Sequence, residues 1–250
     1  MTRQVIVALA ALALGFASAG LAHADPIDVV AYTTTGLTVI DFEDAAAAPF
    51  PGVNYDGILS SGGARFAERF SGQGLSFSGG NDVLSGSPGG PLTLQTGLPA
   101  QNLDVGTDNG THNLIPCGKL GCLDGNGYGE GSFAVLFAHP TSFFGFQQFF
   151  DQGGAHLTTL DFFNGAGGLI QRVTVNVHGN YGFHRSGGFA DIAGVSVFTS
   201  DLGGLAYDNL VYDPTHGDPG GVPEPATWAM LLTGVGAIGA LARRRRPVLA

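Results

Sequence analysis

The sequence predicts an all-β protein whose strands form two packed sheets. Glycine accounts for 42 of the 250 residues, more than double its usual share of roughly 7%, and each glycine in a helix interior costs about 1 kcal/mol. Residues 25–222 carry no helical hydrophobic period over more than a few turns, whereas β-branched and alternating runs recur. The 18 phenylalanines supply the apolar surface that disordered chains lack. About eight to ten strands are expected, which is enough for two layers.

The first and last predicted strands carry acidic side chains. Residues 37–43 alternate so that Val39, Asp41 and Glu43 fall on one face, and residues 205–212 form the last strand, which contains Asp208.

The strands between them differ in strength. The clearest hairpin joins residues 156–163 to residues 169–177 through a glycine-rich turn. Residues 132–138 and 142–150 are the most apolar, with a break predicted at Pro140. The remaining candidates are residues 75–77, 92–94, 103–105 and 192–198.

Charge limits the partners of the central region. Residues 25–222 contain five basic and 19 acidic side chains, a net charge of −14. A region this acidic is not expected to bind nucleic acid or anionic lipid, but it suits cations.

The two cysteines, Cys117 and Cys122, enclose four residues. In an oxidising compartment we expect a disulfide, which for so short a loop contributes about 2 kcal/mol. The spacing does not match a zinc site.

The N-terminus has the pattern of a secretory signal peptide. Arg3 precedes an apolar run over residues 5–19, and Ala22-His23-Ala24 is a small-residue cleavage site. Residues 1–24 are therefore predicted to be removed on export.

The C-terminus has three parts in a fixed order. Pro223, Glu224 and Pro225 precede an uncharged run of 17 residues, 226–242, which as a helix spans about 25 Å and is near the lower limit for crossing a bilayer. Four arginines then stop transfer and stay in the cytoplasm, because each costs roughly 2.5–3.5 kcal/mol at the membrane centre. They are Arg243, Arg244, Arg245 and Arg246.

This arrangement resembles the PEP-CTERM sorting signal. The resemblance implies that a membrane transpeptidase, exosortase, recognises Pro223, Glu224 and Pro225 and releases the upstream domain to the cell envelope or the outside. The implied setting is a Gram-negative bacterium with extracellular polysaccharide, and the inner membrane holds the chain before processing. The predicted divisions are a signal peptide at 1–24, a β-sandwich at 25–213, a flexible tether at 214–222 and the sorting signal at 223–250.

The first and last strands resemble the terminal strands of jelly-roll modules in lectin-like and carbohydrate-binding proteins. In those modules the terminal strands pair, and their carboxylates often hold a structural calcium ion. Calcium takes about six to eight oxygen ligands, so the resemblance implies a site at Asp41, Glu43 and Asp208. Solvated carboxylates on an exposed face are the equally weighted alternative.

Other motifs have simpler interpretations. Residues 124–130 begin like a calcium-binding loop, but Val135 stands at the twelfth position, and a single glycine-rich unit at 79–86 cannot stack, so both are predicted turns. His184, Ser186 and Asp191 form a triad only on paper. The phenylalanines between residues 143 and 150 are predicted core.

The predicted function is a non-catalytic adhesive or structural role within extracellular polysaccharide, with calcium as the candidate cofactor and polysaccharide as a candidate partner. Two alternatives stay open: a carbohydrate-binding module with a defined glycan, and a hydrolase of matrix glycan.

Overall fold

Eighteen strands and one short 3-10 helix make up the regular structure of the described residues. The computed structural model describes residues 26–108, 110–123, 125–149 and 155–214. The 3-10 helix is Ser186–Gly188. The strands in chain order are β1 Ile27–Ala31, β2 Thr38–Ile40, β3 Val53–Tyr55, β4 Leu59–Ser61, β5 Ala64–Ala67, β6 Arg69–Phe70, β7 Gly74–Ser78, β8 Asn81–Ser85, β9 Leu94–Gln95, β10 Leu103–Asp108, β11 Thr111–Pro116, β12 Phe133–Thr141, β13 Phe143–Phe149, β14 Leu157–Phe163, β15 Leu169–Asn176, β16 Asn180–Arg185, β17 Ile192–Thr199 and β18 Ala206–Tyr212.

Two large antiparallel sheets carry most of these strands. The first sheet has the order β1-β16-β13-β18-β11-β10-β3, and β2 also pairs with β18. The second sheet has the order β15-β14-β17-β12-β5-β4. Strands β6 and β9, and strands β7 and β8, form two further pairs.

Aromatic rings fill the space between the two large sheets. Phe133 of β12 contacts Tyr207 of β18 with ring centroids 4.9 Å apart, and Phe162 of β14 contacts Phe183 of β16 at 5.4 Å. All four side chains belong to one buried cluster that draws on both sheets. The described residues therefore form a β-sandwich, because the inner faces of the two sheets share this core.

A second layer covers the outer face of the second sheet. Phe70 packs with Ala134 and Phe163 in a separate buried cluster, and Gln73 Nε2 donates to Ser196 Oγ at 3.0 Å. The segment from β6 to β9 supplies this cover.

The outer face of the first sheet carries its own small cluster. Ile115 and Ala206 pack with the bonded pair Cys117 and Cys122, and half-buried Tyr128 lies against them. The disulfide therefore attaches the loop after β11 to the sheet.

The all-β prediction is confirmed, as is the hairpin of β14 and β15. The predicted turn at 79–86 is confirmed only at its two glycines, because Ser78 pairs with Asn81 across them and residues 81–85 form β8. The core prediction holds for Phe143, Phe144 and Phe146, whereas Phe149 is exposed and residue 150 lies outside the described residues.

Several predicted strand limits were wrong: only Leu94 of residues 92–94 lies in a strand, and β10 extends beyond residue 105. Two further differences have a clear backbone cause. Strand β2 ends at Ile40 because Phe42 has a φ of 59°, in the left-handed region that interrupts a strand. Strand β12 runs through Pro140 to Thr141, and its register with β17 shifts between Leu136 and Thr141. A proline is tolerated at such an irregularity because the ladder needs no N–H there.

We expect Phe144→Ala to lower the free energy of unfolding by about 3–5 kcal/mol, the usual cost of a large buried cavity. Phe144 is fully buried and contacts four other aromatic rings. Chemical denaturation measures the loss. Phe189→Ala is the control, because Phe189 is 56% exposed; an equal loss in both variants would contradict this account of the core.

Candidate functional site

The last strand brings the predicted carboxylates to one region. Strand β18 pairs with β11 near its start, where Tyr207 faces Leu114, and with β2 further on, where Leu210 faces Ile40. Asp208 lies between these pairings, and Asp41 follows β2 directly. The chain reaches this arrangement because the first and last predicted strands are neighbours in the first sheet.

A bulge holds Asp208 in place. Between the pairs Gly145 with Val211 and Gln147 with Asp208, β18 contains one more residue than β13, and Asn209 has a φ of 46°. An extra residue in the left-handed region is a usual way to redirect side chains beside a site. As a result Asp208 is only 3% exposed.

Asn209 is the main partner of Asp208. Its backbone N–H donates to Asp208 Oδ1 at 2.6 Å and its side-chain nitrogen to Oδ2 at 3.1 Å. The same side chain donates to Gln147 Oε1 at 2.8 Å, and the Tyr32 hydroxyl donates to the Asn209 carbonyl at 2.8 Å. The buried carboxylate thus has neutral donors for both oxygens.

Asp41 and Glu43 lie at the exposed side of the cluster. Asp41 Oδ1 accepts from the Glu43 N–H at 3.2 Å. Glu43 Oε1 accepts from the His112 N–H at 3.0 Å, and Glu43 Oε2 lies 3.6 Å from His112 Nε2. His112 therefore contacts one member of the cluster directly and partly offsets its charge when protonated.

Burial and like charges act together on Asp208. Burial, with a smaller contribution from Asp41 and Glu43, raises its pKa to about 6, against the opposing effects of the Asn209 N–H and His112. Burial also raises the pKa of Tyr32, with Asp208 as the second cause. The cluster is thus a place where negative charge is only partly compensated.

The three carboxylates do not form a ready set of metal ligands. Within the ranges that the structure describes, their oxygens are not all within 4.8 Å of one another. Calcium binding there would need the exposed Asp41 and Glu43 side chains to turn toward Asp208, with further oxygens to reach about six to eight ligands. Carboxylates are the side chains that calcium prefers, but the three are not arranged as a preformed calcium site.

Asp104, Cys117 and Cys122 do have ligand atoms within 4.8 Å of one another. The two sulfurs are bonded to each other, so neither is a thiolate, and thiolates are what metals bind. The Asp104 carboxylate instead accepts from Asn54 Nδ2 at 2.7 Å. This group is therefore a structural contact.

His184, Ser186 and Asp191 do not form a catalytic triad, because Asp191 and Ser186 have other partners. Asp191 accepts two hydrogen bonds from Arg185, at 2.8 and 2.9 Å, and Ser186 donates to Asp28 at 2.5 Å.

Sequence reasoning missed the buried carboxylate of Asp82. Asp82, 1% exposed, accepts from the N–H and hydroxyl of Ser132, and burial raises its pKa to about 6, with Arg69 opposing the rise. It also missed His112 and Asn209. A polar residue inside a predicted strand, as Asn209 is, was the available signal.

Comparison with known proteins identifies one region. Residues 221–246 match the PEP-CTERM protein-sorting motif, so the chain carries the signal of an exosortase substrate. No curated protein and no solved structure matches the chain.

The sorting residues Pro223, Glu224 and Pro225, the apolar run, the arginine cluster and the signal peptide all lie outside the described residues. A search of the described ranges found no helix long and apolar enough to span a membrane.

The raised pKa of Asp208 predicts a pH dependence of stability. A carboxyl whose pKa is higher in the folded state loses stability as the pH rises, here from about 4, its unfolded value, to about 6. Asp208→Asn removes this loss and keeps an acceptor for Asn209. In chelator, we expect the variant to gain about 2 kcal/mol relative to the unchanged chain between pH 4 and pH 7.5.

Chemical denaturation at both pH values measures this gain. Asp28→Asn, which changes an exposed carboxylate on β1, is the matched control. A constant difference between the Asp208→Asn variant and the unchanged chain at the two pH values would contradict the assignment.

Proposed function

We propose that this exosortase-sorted protein has a non-catalytic adhesive or structural role in the extracellular polysaccharide around the cell, and that calcium supports its β-sandwich. The observation that carries the calcium part is buried Asp208 beside Asp41 and Glu43, at the point where β2 meets β18. The sorting motif at residues 221–246 supports delivery to the cell envelope or beyond.

The proposed route follows from the order of the terminal segments. The signal peptide directs export, residues 226–242 hold the chain in the inner membrane with the arginines in the cytoplasm, and exosortase releases the domain. The domain then works where calcium is abundant, and extracellular calcium sites need dissociation constants of only about 10⁻⁴ to 10⁻³ M.

Calcium would relieve the charge at the cluster. Asp41 and Glu43 both raise the pKa of Asp208, which means that each disfavours its ionised form. A divalent cation between the three would reverse that effect, and the two exposed side chains are free of the packing that holds Asp208. The proposal includes a jelly-roll connectivity. The pairing of β2 with β18 motivates this part, because terminal strands pair in jelly-roll modules.

We expect calcium to raise the melting temperature of residues 25–222 by about 5 °C over the value in chelator, because a ligand at 100 times its dissociation constant adds about 2.7 kcal/mol. The rise should vanish in the Asp41→Ala, Asp208→Ala double variant. An Asp28→Ala, Asp56→Ala double variant removes the same charge elsewhere and should keep the rise. An unchanged melt of the native protein in calcium would refute the site.

The same cluster also supports a catalytic alternative. Glycosidases pair a carboxylic acid of raised pKa with an ionised carboxylate, and Asp208, with a pKa of about 6, neighbours exposed Asp41 and Glu43. Its burial leaves it little access to a substrate, which favours the non-catalytic proposal.

Release of reducing ends from soluble polysaccharides distinguishes the non-catalytic role from the hydrolase. The non-catalytic role predicts no release above a blank. Release that is lost in Asp208→Asn and retained in Asp28→Asn would favour the hydrolase instead.

A further inference from the structure

A half-open cavity of about 250 Å³ lies on the outer face of the first sheet. It is formed by the β10–β11 hairpin, the start of β18 and the loops that carry Phe50 and Tyr128. The residues that line it include Phe50, Asp108, Asn113, Ile115 and Tyr128. Ligand pockets for drug-sized molecules are usually roughly 300–1,000 Å³, so this cavity suits a single small ring.

One wall of the cavity is aromatic and exposed. Phe50 is 64% exposed, and its ring meets that of Tyr128 edge to face, with centroids 5.0 Å apart. A Cβ at Gly125 would come within 2.7 Å of Phe50 Cζ, so glycine there makes room for the ring. A large apolar side chain held in one orientation and left in solvent is a platform for an apolar face.

Other residues of the lining are polar. Asn113 is 4% exposed, and its side-chain nitrogen donates a long bond of 3.5 Å to the Thr111 carbonyl. Asp108 adds a carboxylate near the Tyr128 ring. Burial, followed by Asp104 and Asp108, raises the pKa of Tyr128 to about 12, so its phenol stays protonated.

The charge of the lining restricts the ligand. Among the described residues that line the cavity there is no lysine, arginine or histidine, and a carboxylate is present, so anions such as phosphate or uronate are disfavoured. A sugar ring presents C–H groups on one face and hydroxyls at its edge. Such a ring matches both the aromatic side chains and the polar side chains of this lining.

Small residues keep the cavity open. A Cβ at Gly106 would come within 2.6 Å of Ile115 Cδ1 and 2.9 Å of the Tyr128 hydroxyl. Gly203 and Gly204 line the side nearest β18.

We propose that this cavity binds one neutral pyranose ring, with the apolar face of the sugar on Phe50 and its hydroxyls toward Asn113 and Asp108. The proposal rests on the adhesive role proposed above and names its ligand class. It does not involve Asp41 or Glu43, so the calcium experiment neither supports nor weakens it.

Saturation-transfer NMR on the full chain, in a detergent without a sugar headgroup, tests the site with the methyl pyranosides of glucose, galactose and mannose and with glucuronic acid. We expect at least one neutral glycoside to bind with a roughly millimolar dissociation constant, and glucuronic acid to give no signal. Phe50→Ala and Asn113→Ala should each weaken binding about tenfold.

Phe189→Ala is the matched control, since Phe189 is similarly exposed but lies outside the cavity. Thermal melts of the variants verify that each is folded. The proposal is overturned if no neutral glycoside binds, or if Phe50→Ala binds as tightly as the Phe189→Ala control.

Retention on a column of neutral polysaccharide separates this proposal from the adhesive role. If Phe50→Ala is retained like the unchanged chain, the cavity assignment falls and the adhesive role stands. If the unchanged chain is not retained and no glycoside binds, both fall. If the unchanged chain is retained and Phe50→Ala is not, the cavity assignment and the adhesive role are both supported. If free glycosides bind but the unchanged chain is not retained, the cavity is a site for monosaccharides only.

Discussion

The pairing of β18 with three other strands is the constraint on which the rest of the structure depends. β13 runs along one side of β18, while β11 and β2 share the other side. In such a central strand, the residues that point inward pack in the core between the sheets. The residues that point outward contact the loops on the outer face. Tyr207 and Leu210 face the aromatic core, Ala206 joins the disulfide cluster, and Asp208 is buried between them in sequence.

The bulge at Asn209 reconciles these demands. Without the extra residue, strict alternation would place Leu210 on the same face as Asp208. The left-handed turn of Asn209 shifts the alternation by one, so Leu210 returns to the core and Asn209 itself supplies the donors that a buried carboxylate requires. The carboxylate cluster and the sugar-sized cavity lie along the same strand because both use its outward side.

Sequence patterns predicted the class of fold and the strongest strands. The β14–β15 hairpin was readable because a glycine-rich turn separates two alternating runs, and Phe144 and Phe146 were readable as core from their size. Strands such as β3, β8 and β16 were not predicted, since their polar or glycine-rich sequences acquire strand structure only from a neighbour's hydrogen bonds. For the same reason Pro140 was misjudged, because only the register shown by β17 reveals that its missing donor is not needed.

The sequence by itself determined where this protein is sent and that it folds as β-structure, because a sorting signal is linear and strand preference is local. It also nominated Asp41, Glu43 and Asp208 from two short motifs. Only the tertiary structure decided how these groups meet: it buried Asp208, paired Glu43 with His112 and left the carboxylates apart as metal ligands. It alone placed Phe50 against Tyr128 and in the same cavity as Asn113. Such contacts join residues far apart in the chain, and their distances depend on sheet register and loop packing, which no local pattern encodes.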